Sequence, residues 1–185
     1  MMAKVATNHV VMKLAKGFTL IELLITVLVF GVLAALAAPY MGDYVERQRL
    51  IGATQAIAEQ AQLARTMAIA NNKGIYVKYG STATSAWCAA ISDTAGCNCK
   101  VTSSCQVNGM ATKVSNGADF KGIIVTNKAS SAATSFEREF RMPGNSADAG
   151  TLQVASARLG IAEVVISTIG RVRICSDVLS NYPDC

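Results

Sequence analysis

Apolar residues crowd into one stretch of this chain, Phe18 to Ala38, and thin out on either side of it. Glu22 is the only ionisable side chain within those 21 residues, and Lys13 and Lys16 stand just before them. As a helix the stretch is about 31 Å long, enough to cross the hydrocarbon core of a bilayer. Lysines ahead of it favour an N-terminal side that stays cytoplasmic. Gly31 and Pro39 interrupt the run, and proline, which lacks an amide donor and crowds the preceding turn, predicts a kink or local melting near residue 39. From Asp43 to Ala70 the pattern turns amphipathic. Leu50, Thr54, Ile57, Ala61, Ala64 and Ala68 recur at spacings of four and three, Ile51 and Met67 widen the stripe, and Gln48, Gln55, Glu59 and Thr66 lie opposite. A stripe this rich in alanine suits the close approach of a sheet. Asn71-Asn72-Lys73-Gly74 supplies a stop, so one helix of about 80 Å is predicted from Phe18 to Asn71.

Past Gly74 the period shortens to that of strands separated by small polar residues. Ile75–Tyr79, Ala86–Ile91, Gly122–Thr126, Phe136–Met142, Thr151–Ala157, Glu163–Thr168 and Arg171–Cys175 read as strands, and Gly80–Ser85 and Lys128–Ser135 as loops. One long helix followed by short strands predicts an α+β head, mostly antiparallel, with the helix packed on its sheet.

Composition narrows the chemistry. Only 16% of residues are charged and 51% are hydrophobic, with a formal net charge of +5. The single histidine, His9, precedes the apolar run. The folded body therefore has no Ser-His-Asp or Cys-His nucleophile system and no histidine for a zinc site. Six cysteines, all between Cys88 and Cys185, indicate an oxidising compartment. A Cys97–Cys99 bridge would be strained. Cys88 and Cys105 are thus each expected to reach one of that pair, in either combination, leaving Cys175–Cys185 to close the C-terminal tail, a link worth about 2–3 kcal/mol. A four-cysteine zinc site competes, but paired C-x₂₋₄-C knuckles are missing. No metal and no cofactor are expected.

Glu22 needs a reason, since a carboxylate inside a membrane run costs ~2.5–3.5 kcal/mol on insertion scales. A plain signal peptide ending near Ala34–Ala38 leaves it unexplained. The segment Lys16-Gly17-Phe18-Thr19-Leu20-Ile21-Glu22 resembles the prepilin peptidase site of type IV pilins and type II secretion pseudopilins. The resemblance implies a leader, residues 1–17, cleaved after Gly17 by prepilin peptidase, and N-methylation of Phe18. It also implies a transmembrane and assembly helix over 18–40, an amphipathic continuation over 41–73 and a head over 74–185. Glu22 would face the free amine of Phe18 on a neighbouring pilin, each charge offsetting the other's burial. A 17-residue leader is long for such proteins, and Met12 is an alternative start. Loss of Lys4, Lys13 and Lys16 lowers the formal charge from +5 to +2, so basicity by itself argues little for an anionic partner.

A second resemblance rests on Phe140-Arg141-Met142-Pro143-Gly144, Val164-Val165-Ile166-Ser167 and Gly170-Arg171-Val172-Arg173-Ile174-Cys175. Their order is similar to the GspH/FimT group of minor pilins and pseudopilins, which also contains FimU, and implies the type IV pilin-like fold. The resemblance implies an inner-membrane pool that assembles into a pilus with other major and minor pilins. The stretch Gly80–Ser135 carries no resemblance.

Few residues here suggest chemistry. Asp177 and Asp184 lie in a proline-containing tail and read as solvated. Trp87 is either a stacking platform for a base or, more simply, core. Arg138 shares a strand face with Phe136 and Phe140, as a buried ion pair or a snorkelling side chain. With no phosphate loop, metal-ligand spacing or activated nucleophile, the sequence does not read as an enzyme. Arg171 and Arg173 stand apart. At i and i+2 of a strand they project from one face ~6.6–6.8 Å apart, and each guanidinium can hold a phosphate through paired donors. The plainer alternative is a wet edge face, or ion pairs with Asp177 and Glu163. Gly170-Arg171-Val172-Arg173 resembles the Gly-Arg-x-Arg motif of FimT-type minor pilins. That resemblance implies non-specific binding to the phosphate backbone of double-stranded DNA for uptake in natural transformation, with affinity falling as salt rises. The tail Ser176–Asp184 would shape the site through donors at Ser176 and Ser180, with Arg158 and Lys121 as supporting charges. Two other roles fit the same resemblance: a structural subunit of a tip or priming complex, as for FimU, and a type II secretion pseudopilin, as for GspH.

Overall fold

Thr19 starts the long helix. Its hydroxyl accepts the Glu22 N–H at 3.3 Å and its carbonyl the Leu23 N–H at 3.2 Å, satisfying two donors that a helix start leaves open. In this computed structural model, residues 17–80, 86–129 and 135–185 are described, with backbone only for 37–40. The leader residues Met12, Lys13 and Lys16, most of both expected loops and the side chain of Pro39 lie outside the described residues. Helix α1 spans Leu20–Asn71. It ends where Asn72 takes a positive φ of 49° and Lys73 N–H turns back to the Ala68 carbonyl at 3.3 Å.

The chain divides into two units, Met1–Met41 and Gly42–Cys185. In the first, the large apolar side chains stay exposed, Phe18 at 84% and Phe30 at 75%. Among the described residues no single helix is long and apolar enough to cross a membrane; Leu20–Leu36 and Met41–Asn71 meet that test only as a pair, by length and composition.

In the second unit α1 lays its stripe on two sheets. The strands are β1 (Ile75–Gly80), β2 (Cys88–Ser92), β3 (Gln106–Val107), β4 (Met110–Ala111), β5 (Ser115–Asn116), β6 (Ile123–Asn127), β7 (Ser135–Arg141), β8 (Ser146–Ala147), β9 (Gly150–Ser156), β10 (Gly160–Ile166) and β11 (Val172–Ser176). One sheet has the order β5-β2-β1-β7-β8, a second β11-β10-β9-β6, and β3-β4 form a small hairpin. Every pairing is antiparallel. The fold is therefore α+β with an N-terminal helix packed on antiparallel sheets.

Leu50, Ala53, Thr54, Ile57, Ala61, Ala64 and Ala68 are fully buried, and the apolar ones share a single core with Ile75, Val77, Phe140, Leu152, Val154, Val164 and Ile166. Alanines let the helix axis come close; the larger strand residues fill the gap, each side chain contributing roughly 1.5–3 kcal/mol by leaving water. That core and all three disulfides lie within Gly42–Cys185, so the head carries the contacts it needs to fold by itself.

All seven longer strands fall where the alternation places them. β3, β4, β5 and β8, two residues each, have no sequence signal, and β10 begins at Gly160 rather than Glu163. Cys88 bonds Cys99 and Cys97 bonds Cys105, closing the β2–β3 loop into a second small cluster around Ala90; Cys175 bonds Cys185. Among the described residues Arg138 is in no ion pair, and its Nε is buried rather than carried out to solvent. Its Nη2 donates to Asn127 Oδ1 at 3.2 Å, joining the two sheets, and the same guanidinium packs against Gly150, where a Cβ would clash with it.

Candidate functional site

The connector from β10 to β11 is a tight turn. Gly170 N–H donates to the Ser167 carbonyl at 2.9 Å, Ser167 N–H to the Arg171 carbonyl at 3.0 Å, and Arg171 N–H to Ser167 Oγ at 3.0 Å. Gly170 sits at φ +71°, a conformation side-chain-bearing residues avoid, and it is buried. A Cβ there would lie 3.4 Å from both Arg65 Nε and the Phe140 ring. The backbone conformation of the turn thus calls for glycine, and the turn lies in van der Waals contact with α1.

Beyond the turn the strand alternates. Val172 and Ile174 pack on the core, while Arg171 and Arg173 are exposed. Arg171 lies one residue before β11, not in it, yet the two arginines still border one hollow of about 260 Å³ with Val165, Ser167 and Ile169. β11 is an edge strand, with Arg173 opposite Val165. Neither arginine is in an ion pair among the described residues.

The two carboxylates that would neutralise them are engaged elsewhere. Asp177 Oδ1 accepts the Cys185 N–H at 3.2 Å. Glu163, 9% exposed, accepts from Lys128 Nζ at 2.8 Å and from Gln153 Nε2 at 3.0 Å. Burial pushes the Glu163 carboxyl up, but the hydrogen bonds from Lys128 and Gln153 and the Lys128 charge outweigh it, so the group is held below its usual value. It stays ionised and internally neutralised beneath the strand. Glu163 also approaches the sulfurs of Cys175 and Cys185. Both sulfurs are in a disulfide, so neither is a thiolate able to bind a metal.

The remaining candidate residues do not converge on this turn. Ser176 is 2% exposed; its N–H donates to the Pro183 carbonyl at 2.9 Å and its hydroxyl to the Ile161 carbonyl at 3.1 Å. It folds the tail back rather than offering a free donor. Ser180 is exposed. Arg158 pairs with Asp43 at 3.0 Å and Glu46 at 3.6 Å. It lies in the β9–β10 connector, at the far end of β10 from Arg171 and so about 20 Å along the sheet. Lys121 precedes Ile123, which registers with Ser156 at that same far end, and on the opposite edge strand. Trp87 is core: 1% exposed, stacked on Phe120 with ring centroids 5.7 Å apart. In the stem, Gly17 and Phe18 precede the helix, and Glu22 is exposed in its first turn. One residue at the turn had no sequence signal: Arg65, brought there from α1.

An apolar capped helix bearing a peptidase-type sequence, whose alanine stripe feeds onto antiparallel sheets, defines a pilin-like protein. The family model of the prokaryotic N-terminal methylation motif matches residues 12–38, and that of the type II transport protein GspH matches residues 53–177. The second match covers most of the chain, which belongs to that family as a type IV minor pilin of the GspH/FimT kind. A fimbrial protein of Pseudomonas aeruginosa is 48% identical over 52 residues, 28% of this chain and 32% of that protein. The fimbrial protein EcpC of Eikenella corrodens is 54% identical over 35 residues, 19% of this chain and 23% of that protein. The chain thus matches about a third or less of the length of these curated relatives. The crystal structure of the P. aeruginosa type IV minor pilin FimU shares the fold at a TM-score of 0.51 and 16% identity, over 72% of this chain and 92% of that one. Motif and apolar helix together fit a membrane-anchored pilin.

Proposed function

We propose that this minor pilin binds the phosphate backbone of double-stranded DNA through Arg171 and Arg173, as a DNA-capturing subunit in natural transformation. One observation carries the reading: two guanidiniums border a single hollow with no carboxylate paired to either among the described residues. Guanidinium charge is permanent, and its planar fork suits phosphate oxygens. Such contacts fix position without reading sequence. The role is structural and binding, not enzymatic. On the same reading prepilin peptidase cuts between Gly17 and Phe18, the Phe18 amine is methylated, and Glu22 pairs with that amine on a neighbouring pilin, while the protein waits in the inner membrane before joining the pilus.

A second reading has its own observation. Ile169 is 62% exposed and borders the hollow with Val165. Apolar side chains mixed with arginine are typical of protein interfaces, and this favours a structural subunit of the tip or priming complex with no DNA role. A place among type II secretion pseudopilins would follow if the neighbouring genes encode a secretion system.

The test is a gel-shift titration of the head, Gly42–Cys185, with duplex DNA at several salt concentrations. Binding that weakens as salt rises and falls sharply in Arg171→Ala with Arg173→Ala supports DNA capture. A folded head that shifts no DNA at low salt moves the arginines to a subunit interface.

A further inference from the structure

Arg65 lies against the Gly170 turn, 105 residues away in sequence, and it is unpaired there. Its Nε is buried with no hydrogen-bond partner, and Arg65 is in no ion pair among the described residues. The contact is close, the Cβ position of Gly170 lying 3.4 Å from Nε and 3.5 Å from Cδ of Arg65. A second hollow of about 260 Å³ opens on this side of the turn, bordered by Gln62, Arg65, Thr66, Gly170, Arg171 and Val172. Arg171 therefore stands between two hollows, sharing one with Arg173 and the other with Arg65.

We infer that Arg65 is a third phosphate-binding residue and that a DNA strand crosses the edge strand β11 onto α1 instead of running along β11. This rests on the reading of Arg171 and Arg173 given above. Three like charges around one turn repel one another in the free protein, which a serial anion relieves better than a single phosphate does. A nucleic-acid backbone presents its charges in series. Arg173 and Arg171 share one hollow and Arg171 and Arg65 the other, so successive phosphates would each meet a hollow bordered by two arginines. Gln62, exposed on the same rim, adds a neutral amide donor. Thr66 adds none, because its hydroxyl already donates to the Gln62 carbonyl at 2.9 Å.

The experiment measures binding of the head, checked against the full chain in detergent, to a duplex of about a dozen base pairs between about 50 and 200 mM salt. Each phosphate neutralised adds about 0.9 to the slope of log affinity against log salt. Arg65→Gln is expected to weaken binding several-fold and lower the slope by about 1, Arg171→Ala with Arg173→Ala to lower it by about 2, and Arg65→Lys to recover most of the slope. If Arg65→Gln melts, the Arg65 guanidinium Nη resonances of the wild-type head decide: a shift on adding duplex supports the contact, and unmoved resonances overturn it. Wild-type affinity and slope in folded Arg65→Gln, with weakened binding and a lowered slope in the Arg171/Arg173 variant, overturns the inference alone and leaves DNA capture standing. A wild-type head that binds no duplex, or that binds an acidic partner pilin through the same arginines, overturns both.

Discussion

The two ends of the four-stranded sheet carry similar residues in opposite states. At the β9–β10 end, Arg158 sits between Asp43 and Glu46, and its charge is cancelled within the head. At the β10–β11 end, Arg171 and Arg173 have no acidic partner among the described residues, and the buried carboxylate of Glu163 is held by Lys128 and Gln153. Counting positive charges along the chain groups Arg158 and Lys121 with Arg171; the strand register separates them. A cation marks a binding surface when the fold has left it without a partner, and number of cations is a poor substitute for that. The stem offers the same contrast in apolar form: exposed from Phe18 to Leu36, where the head's stripe is buried.

The largest expected effect tests the open end. Arg171→Ala with Arg173→Ala should weaken duplex binding about a hundredfold at low salt, taking about 1.4 kcal/mol for each arginine–phosphate pair. Gel shifts at matched salt check this, with an unchanged melting temperature as the control.

Next comes the tail that flanks Arg173. Cys175→Ser with Cys185→Ser should cost about 2–3 kcal/mol in denaturant unfolding, since the crosslink restrains the unfolded chain. Affinity for DNA should change far less than stability if the arginines act through the turn and the edge strand.

The Glu163–Lys128 pair is the third point of attack. Lys128→Met leaves a nearly buried carboxylate with Gln153 alone and should cost about 1–3 kcal/mol. The sign with pH follows from the depressed Glu163 value. The stability this group contributes is complete above its ordinary value near 4.5 and is lost as pH falls through the lower folded value. Asp93, held down by hydrogen bonds from Lys73 and from the Asn108 N–H, acts in the same direction. Thermal melts of wild type and Glu163→Gln should therefore differ at neutral pH and converge in acid. Parallel melting curves down to acid pH would count against this account of Glu163.

The smallest effect belongs to the closed end. Arg158→Ala should shift stability by no more than about 1 kcal/mol, because its pair with Asp43 is exposed, and leave DNA binding unchanged.

Local periodicity makes much of this fold legible in the sequence. The alanine stripe Ala61, Ala64, Ala68 and the seven longer strands follow from repeats of 3.6 and 2 that need no distant partner. The short strands are not legible because tertiary contacts hold them: β5, for example, is fixed where Gln60 on α1 donates to Ser115 Oγ at 3.1 Å. Arg171 and Arg173 can be found from i, i+2 spacing, and Gly170 from its place before them. Arg65 cannot, since only the folded turn brings it near. The free donor expected at Ser176 fails for a related reason, its amide being taken by Pro183 on a tail whose path the sequence does not give. Which of Cys97 and Cys99 each outer cysteine reaches is equally a matter of chain path.

The most direct measurement is an amide and arginine side-chain NMR map of the head titrated with duplex DNA, because it sees both ends of the sheet at once. Shifts should be confined to Ser167–Cys175 and Arg65 and fade as salt is added, with Lys121 and Arg158 unmoved. Shifts centred on Arg158 and Lys121, or none anywhere with the protein folded and its disulfides closed, would contradict DNA capture at the open end.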